Sequence, residues 1–367
     1  MAQMGAEVIK IEHPQKPDFV RGLGPIVAPD ISAAFQALNM GKRSLAMDVN
    51  TAAGREVFFD LVKRADLVVE GFRPGMLRKL GINYETARAV NPRIIYVSIT
   101  GFGQDGPYAN LAGHDLNYIG FGGLLGLTGT AEGPPIAPGA QIADVAGGAY
   151  MAVIGSLSAL LARDRTGTGQ HVDVAMLDGI LPLMTLQLAE FWQGSPFKHR
   201  GQMPLSGALA CYQVYPCADA EYVALGALEP KFWQGFCELV DKPEWVARHM
   251  EPQQADLIAQ VGALFKTRTR DQWVAMAGDR DVCLTPISNL DEIANNPQLR
   301  HRGSVIPGDD QQPTRLGFPI KYSETPTKNP NEPAPRPGDH GREILRELGY
   351  SEKDINRLKG DAGFHEP

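Results

Sequence analysis

The chain is 367 residues long, 43% hydrophobic and 21% charged, with a formal net charge of −7. These are ordinary globular values on a length that exceeds one small core, so one large and one smaller domain are expected. The acidic balance argues against a general nucleic-acid binder, whose electrostatic footprint is basic. Cys211, Cys217, Cys237 and Cys283 show no CxxC spacing and are too few for a disulfide framework, which predicts a reducing, cytoplasmic setting. No apolar run reads as long enough for a membrane span, and no basic segment leading into an apolar one opens the chain. Neither a membrane nor a nucleic-acid partner is expected.

Residues 6–12 (AEVIKIE) alternate apolar and polar side chains as a strand does. A loop-rich stretch with one apolar patch (AAFQAL) leads to Lys42-Arg43, and SLAMD (44–48) reads as a second strand. Thr51 is the expected N-cap of a helix over 55–65, where Val57, Phe58, Leu61 and Val62 share a face. The strand DLVVEGF (66–72) follows, then Pro74 and MLRKLG closing on Gly81, a short helix over 84–90, and the strand RIIYVSIT (93–100). Strands alternating with helices predict a parallel sheet with crossover helices. GFGQDG (101–106) satisfies GxGxxG, but a dinucleotide fingerprint needs a helix to open there. Pro107 and a polar loop stand there instead, so the segment reads as a turn.

Residues 113–150 carry the chemistry. His114-Asp115 opens an apolar, Gly-rich segment, a Gly/Pro loop follows, and Asp144 heads a long helix. Tyr150, Val153, Ile154, Leu157, Leu160 and Leu161 lie on one side of that helix, which ends at Gly167 and Gly169. A strand over 171–177 and a helix over 178–193 come next. Gly, Pro and Ser then mark a linker. Beyond it, CYQVYP and AEYVALGAL read as two strands joined by a polar turn at Ala218–Ala220, and Glu229-Pro230 starts a helix. Further helices are expected over 254–266, 271–278 and 290–299. A Pro-rich strap runs from Gly317 to Pro337, and a last helix over 342–349 is expected to dock back. The resulting division is a large α/β domain at 1–195, a linker at 196–210, a small α+β domain at 211–318, and strap with C-terminal helix at 319–367.

Taken singly, Asp115 reads as a helix cap with His114 packed against that helix, and Asp144 and Glu229 as carboxylates at helix N-termini. Together they put titratable groups at helix starts inside apolar sequence, where pKa values shift toward acid–base use. The sequence has no HExxH, paired Cys or close His pair for a metal, and no GxSxG elbow for a serine nucleophile.

The segments GAEVIKIE, NMGKRSLAMD, VVEGFRPGMLRKLG, RIIYVSITGFGQDGPY, GHDLNY, ADVAGG, LLARDRTGTGQHVDVAMLDG and GALEPKFW resemble, in order, the class III CoA-transferase family of the CaiB/BaiF type. Within it they resemble the α-methylacyl-CoA racemase branch. The resemblance implies an interlocked homodimer of chains with a Rossmann-like large domain and a small domain, and CoA thioesters bound between the large domain of one subunit and the small domain of the other. It implies no cofactor beyond the CoA of the substrate. In the transferases the Asp of G-x-D, here Asp115, is the nucleophile. The racemase branch adds His, Asp and Glu, here His114, Asp144 and Glu229. The implied chemistry is α-proton transfer of a 2-methylacyl-CoA through an enolate, with Asp144 on one face and His114 on the other. Glu229 would hold the imidazole, and a main-chain N–H near Asp115 would face the enolate oxygen. The alternative is CoA transfer between carboxylic acids. Matching positions for CoA are Gly71, Phe72, Lys79 and Leu80, with His13 and Met47. Arg73 and Arg78 supply charge, and Lys42-Arg43 adds to it. Two departures stand out. Family members begin with a further strand, loop and helix start, which predicts that the first strand and part of the first helix are missing here. Ala140 also stands where the racemases carry Asn, four residues before Asp144.

Overall fold

The computed structural model describes residues 1–196, 199–309, 313–327, 333–361 and 363–366. Its contacts group the chain into two units, one of Met1–Asn110, Tyr150–Val174 and Leu290–Pro367, the other of Leu111–Ala149 and Ala175–Asn289. These bounds follow packing, and they differ from the division drawn from sequence texture.

In the first unit, Ile9–Glu12 runs parallel to Arg43–Ala46, Ile9 facing Arg43 and Glu12 facing Ala46. Leu45 and Met47 leave this pair for a core shared with Val57, Ile344, Ile355 and Leu358. The helix Ala52–Arg64 is capped as expected: Thr51 Oγ1 accepts the Gly54 N–H at 2.9 Å, a contact worth about 1 kcal/mol. A second sheet has Ile95–Thr100 at its centre, between Leu67–Glu70 and His171–Ala175. Leu67–Glu70 pairs with it in parallel. The parallel strands expected of one sheet therefore lie in two among the described residues. GFGQDG is a turn, with Gly103 and Gly106 at φ 90 and 89, and the next helix begins only at Asp115.

The N-terminal part of this unit is held by a buried ion pair. Arg21 donates to both oxygens of Glu12 at 2.9 and 2.6 Å and to the Pro335 carbonyl at 3.0 Å, and its guanidinium lies 3.8 Å from the Phe35 ring centre. The Ser44 hydroxyl accepts the Gly338 N–H at 3.0 Å. The expected last helix spans Gly341–Glu347, and a further helix, Glu352–Asp361, follows it. Part of the expected strap (328–332) and of the expected linker (197–198) lies outside the described residues.

The long helix opens as a π-helix, Ala143–Tyr150, and continues as an α-helix, Met151–Thr166. It buries a different side from the one its large residues predicted. Ala152 and Ala159 pack with Ile95 and Val97, and Ser156 is buried in line with them. Tyr150, Ile154 and Leu161 are 59%, 55% and 60% exposed. Small side chains at i, i+4 and i+7 let the helix approach the sheet closely, leaving the bulky ones on the far side. The sequence reading that no run suits a membrane is also corrected. Ala143–Thr166 is long and apolar enough by length and composition, because its charged residues sit near the two ends. A single such helix is weak evidence, since a core helix meets the same criterion.

In the second unit, Tyr222–Gly226 lies between Tyr212–Pro216 and Leu284–Pro286, antiparallel to both. The third of these strands was not expected. Trp233, Phe236, Phe265 and Trp273 fill the core beneath, and the indole N–H groups of Trp233 and Trp273 donate to the carbonyls of Trp245 and Phe265 at 2.9 and 2.8 Å. The single helix expected over 178–193 is broken into Met176–Ile180, a 3-10 turn Leu181–Met184, and Thr185–Trp192. Pro182, lacking an N–H, cannot continue the α ladder. The helix expected over 290–299, in the first unit, is likewise two, Leu290–Ile293 and Pro297–His301. Asn296 caps the second by accepting the N–H groups of Gln298 and Leu299.

Candidate active site

His114 is the N-cap of the helix Asp115–Phe121, in extended backbone. Its N–H donates to Asn117 Oδ1 at 3.0 Å, the arrangement that Asn, Gln or Glu three residues after an N-cap provides. The segment before it is fixed by Tyr118, whose hydroxyl donates to the Gly113 carbonyl at 2.6 Å. A Cβ at Gly113 would lie 2.7 Å from the Tyr118 ring, so the close approach requires glycine. The imidazole of His114 is exposed, whereas Asp115 is half-buried.

Asp115 reaches across to the head of the long helix. Its Oδ1 accepts the N–H of Ala143 at 2.6 Å and that of Asp144 at 3.1 Å. These are donors that a helix start leaves without partners. Asp144 itself faces solvent in the single chain. Its carboxyl is nonetheless held above the usual carboxylate range, by partial desolvation first and by the charge of Asp115 second, with His114 acting in the opposite direction. The helix start is locked from behind at Gly147. A Cβ there would lie 2.5 Å from the Met176 carbonyl oxygen, and one at Gly179 would lie 2.2 Å from the Gly147 carbonyl oxygen.

The structure thus brings His114, Asp115 and Asp144 together within one unit. It does not bring Glu229 to them by any hydrogen bond or ion pair. Glu229 is the exposed N-cap of the helix Pro230–Leu239, and its carboxylate has no such partner among the described residues. Asn117, Tyr118, Gly147 and Gly179 were not singled out from sequence. Asn117, three residues after His114, is the signal that was readable.

The positions matched to CoA lie in the first unit. Gly71 and Phe72 follow the strand Leu67–Glu70. The Phe72 N–H donates to Glu70 Oε2 at 2.7 Å, and its ring is 54% exposed. Lys79 and Leu80 end the helix Met76–Leu80, which closes on Gly81 at φ 73. Arg73 and Lys79 are exposed, and Arg78 is 3.4 Å from Glu85. His13 Nδ1 accepts the N–H groups of Gln15 and Lys16 at 3.1 and 3.2 Å, leaving Nε2 3.6 Å from Asp48. The side chain of Met47 is committed to the core. Arg43 does not add free charge to this set, because it is engaged by Glu7, Glu343 and Glu347.

The model of CoA-transferase family III matches residues 1–341. Human alpha-methylacyl-CoA racemase is 32% identical over 370 residues, an alignment that covers 98% of this chain and 91% of that protein. Formyl-CoA:oxalate CoA-transferase of Rhodopseudomonas palustris is 31% identical over 406 residues, covering 100% of this chain and 92% of its own. The crystal structure of a CAIB/BAIF family protein from Brucella suis matches with a TM-score of 0.80 at 34% identity, over 94% of this chain and 92% of that one. With matches of this extent in sequence and in mixed α/β fold, the chain belongs to CoA-transferase family III.

Proposed function

We propose that this chain is an acyl-CoA racemase or epimerase that moves the α-proton of a 2-methylacyl-CoA through an enolate. The observation that carries the reading is geometric: Asp115 Oδ1 accepts the Asp144 N–H at 3.1 Å, which sets the head of the long helix beside the helix that His114 caps, and in that setting the Asp144 carboxyl is held above its usual range. Inversion at a carbon next to a thioester needs a base on one face and an acid on the other, each tuned toward neutrality. One group takes the α-proton, the C–H electron pair passes into the enolate, and the other group returns a proton to the opposite face. The Asp115 N–H begins its helix with no hydrogen-bond partner among the described residues and is the donor offered to the enolate oxygen. Such a donor is worth about 3–4 kcal/mol of transition-state stabilisation.

Gly71, Phe72, Arg73, Lys79 and Leu80, with His13, are assigned to the CoA moiety, whereas the buried Met47 offers it no side chain, and the scheme calls for no metal or further cofactor. A homodimer is part of the proposal. The exposed apolar side of Met151–Thr166 supports a second copy of the chain, and Glu229 of that copy would accept from the His114 imidazole and fix its tautomer.

A second reading, CoA transfer with Asp115 as nucleophile, is favoured by the transferase relative, whose identity is within one percentage point of the racemase's. The two are separated by incubating 2-methylacyl-CoA with the protein in D₂O. Deuterium at the α-carbon, lost in His114→Ala, is expected. No exchange with any branched acyl-CoA, together with a covalent mass increase on Asp115, would select the transferase.

A further inference from the structure

We infer that Asp115 is the positioning residue for Asp144: it anchors the main chain at Asp144 through one carboxylate oxygen and keeps a negative charge beside the Asp144 side chain. The inference deepens the racemase reading and rests on it.

The anchor is a tertiary contact, not a local turn. Asp115 Oδ1 accepts from Ala143 at a separation of 28 residues and from Asp144 at 29. It joins the helix that His114 caps to the helix that Asp144 heads, so a single side chain sets the spacing between the two proposed acid–base groups. Oδ1 is committed to two amide N–H groups, which is the geometry of an anchor. The same carboxylate is one of the two charged neighbours acting on Asp144, the other being His114. The segment Met176–Ile180, packed at Gly147, carries one charged residue, Asp178, and this is not among the influences on Asp144. Like charges held close disfavour ionisation. Asp115 therefore adds to the desolvation that raises the Asp144 carboxyl while fixing its backbone.

Two substitutions separate anchor from charge. Asp115→Asn keeps an oxygen acceptor for both amides and removes the charge, whereas Asp115→Ala removes both. In α-proton exchange on 2-methylacyl-CoA, Asp115→Asn is expected to retain exchange with the acidic limb of kcat/KM moved to lower pH. Asp115→Ala is expected to lose about 10- to 100-fold in kcat with KM little changed, most of which the Asn variant restores. Exchange abolished in Asp115→Asn but present in the wild type would overturn the inference and leave the racemase reading standing. So would an unshifted limb. Absence of exchange in the wild type would overturn the functional reading, and the anchor is then judged without turnover. In a carboxyl ¹³C NMR titration, with the Asp144 resonance identified by Asp144→Asn, the Asp144 pKa should fall in Asp115→Asn, and an unchanged value would refute the pairing.

Discussion

Gly147 and Gly179 meet main chain to main chain: a Cβ on Gly179 would lie 2.2 Å from the Gly147 carbonyl oxygen and 2.6 Å from its Cα. That contact leaves no room for any side chain, and it holds the segment heading the long helix against Met176–Ile180. Gly179→Ala is expected to cost about 1–3 kcal/mol through overpacking. Thermal unfolding should show a lowered midpoint, and α-proton exchange should fall with it, since Asp144 sits three residues before Gly147. A variant of unchanged stability would show that the two segments separate freely.

The Glu12–Arg21 pair gives a pH dependence with a definite sign. Burial pushes the Glu12 carboxyl up, but the Arg21 hydrogen bonds, the Asp18 N–H and the nearby cations outweigh it and hold it below the usual carboxylate range. A carboxylate depressed in the folded state contributes stability above its unfolded-state pKa, and that contribution is lost as pH falls through the folded value. Thermal midpoints should therefore drop on acidification below the ordinary carboxylate range. Glu12→Gln should flatten that part of the curve while lowering the midpoint at neutral pH. Leaving Arg21 buried without its partner is expected to cost about 3–5 kcal/mol.

Thiol reactivity should sort by burial. Desolvation pushes Cys211 up to about 11 and Cys237 up to about 12, so at pH 8 almost no thiolate is present at either. Cys283 is raised as well but is only half-buried. Titration of the native protein with Ellman's reagent should show Cys283 reacting first, with this phase removed by Cys283→Ser. Cys211 and Cys237 should react only on unfolding.

The proposed homodimer is tested on the helix Met151–Thr166. Ile154 and Leu161 are exposed at i and i+7, on one side of the helix and away from the sheet. Ile154→Asp together with Leu161→Asp should convert a dimer into monomers by light scattering without lowering the thermal midpoint of the isolated chain. If Glu229 arrives from a second copy, the same variant should lose proton exchange. An unchanged mass would refute the assignment of this face.

Local rules made much of this chain readable. Thr51 before its helix, Gly81 after Met76–Leu80, and Glu229-Pro230 at a helix start each act within one turn of backbone, and each is where sequence put it. His114, Asp115 and Asp144 were legible as titratable groups at helix starts, but the bond from Asp115 to Asp144 spans 29 residues and no local pattern encodes it. The misjudged side of Met151–Thr166 has a physical source. Hydrophobic spacing ranks side chains by size, whereas close packing on the sheet selected Ala152, Ser156 and Ala159 for being small. At Pro182 and Pro297 the apolar pattern runs on while the missing N–H starts a new helix, so spacing alone does not show the break.

The wide turn of Ala143–Tyr150 sets a limit on which length changes this chain can accept. A π-helical turn holds more residues than an α turn of the same height, and such segments are frequent at functional sites. Deleting one residue between Asp144 and Met151 would favour a regular α-helical turn, but the segment is held at its head by Asp115 and at Gly147 by Gly179, so the shorter chain would strain one contact or the other. If the Asp115 anchor is the contact that yields, Asp144 loses its fixed place beside His114. Length changes here should therefore register in a stability screen as well as in an activity screen.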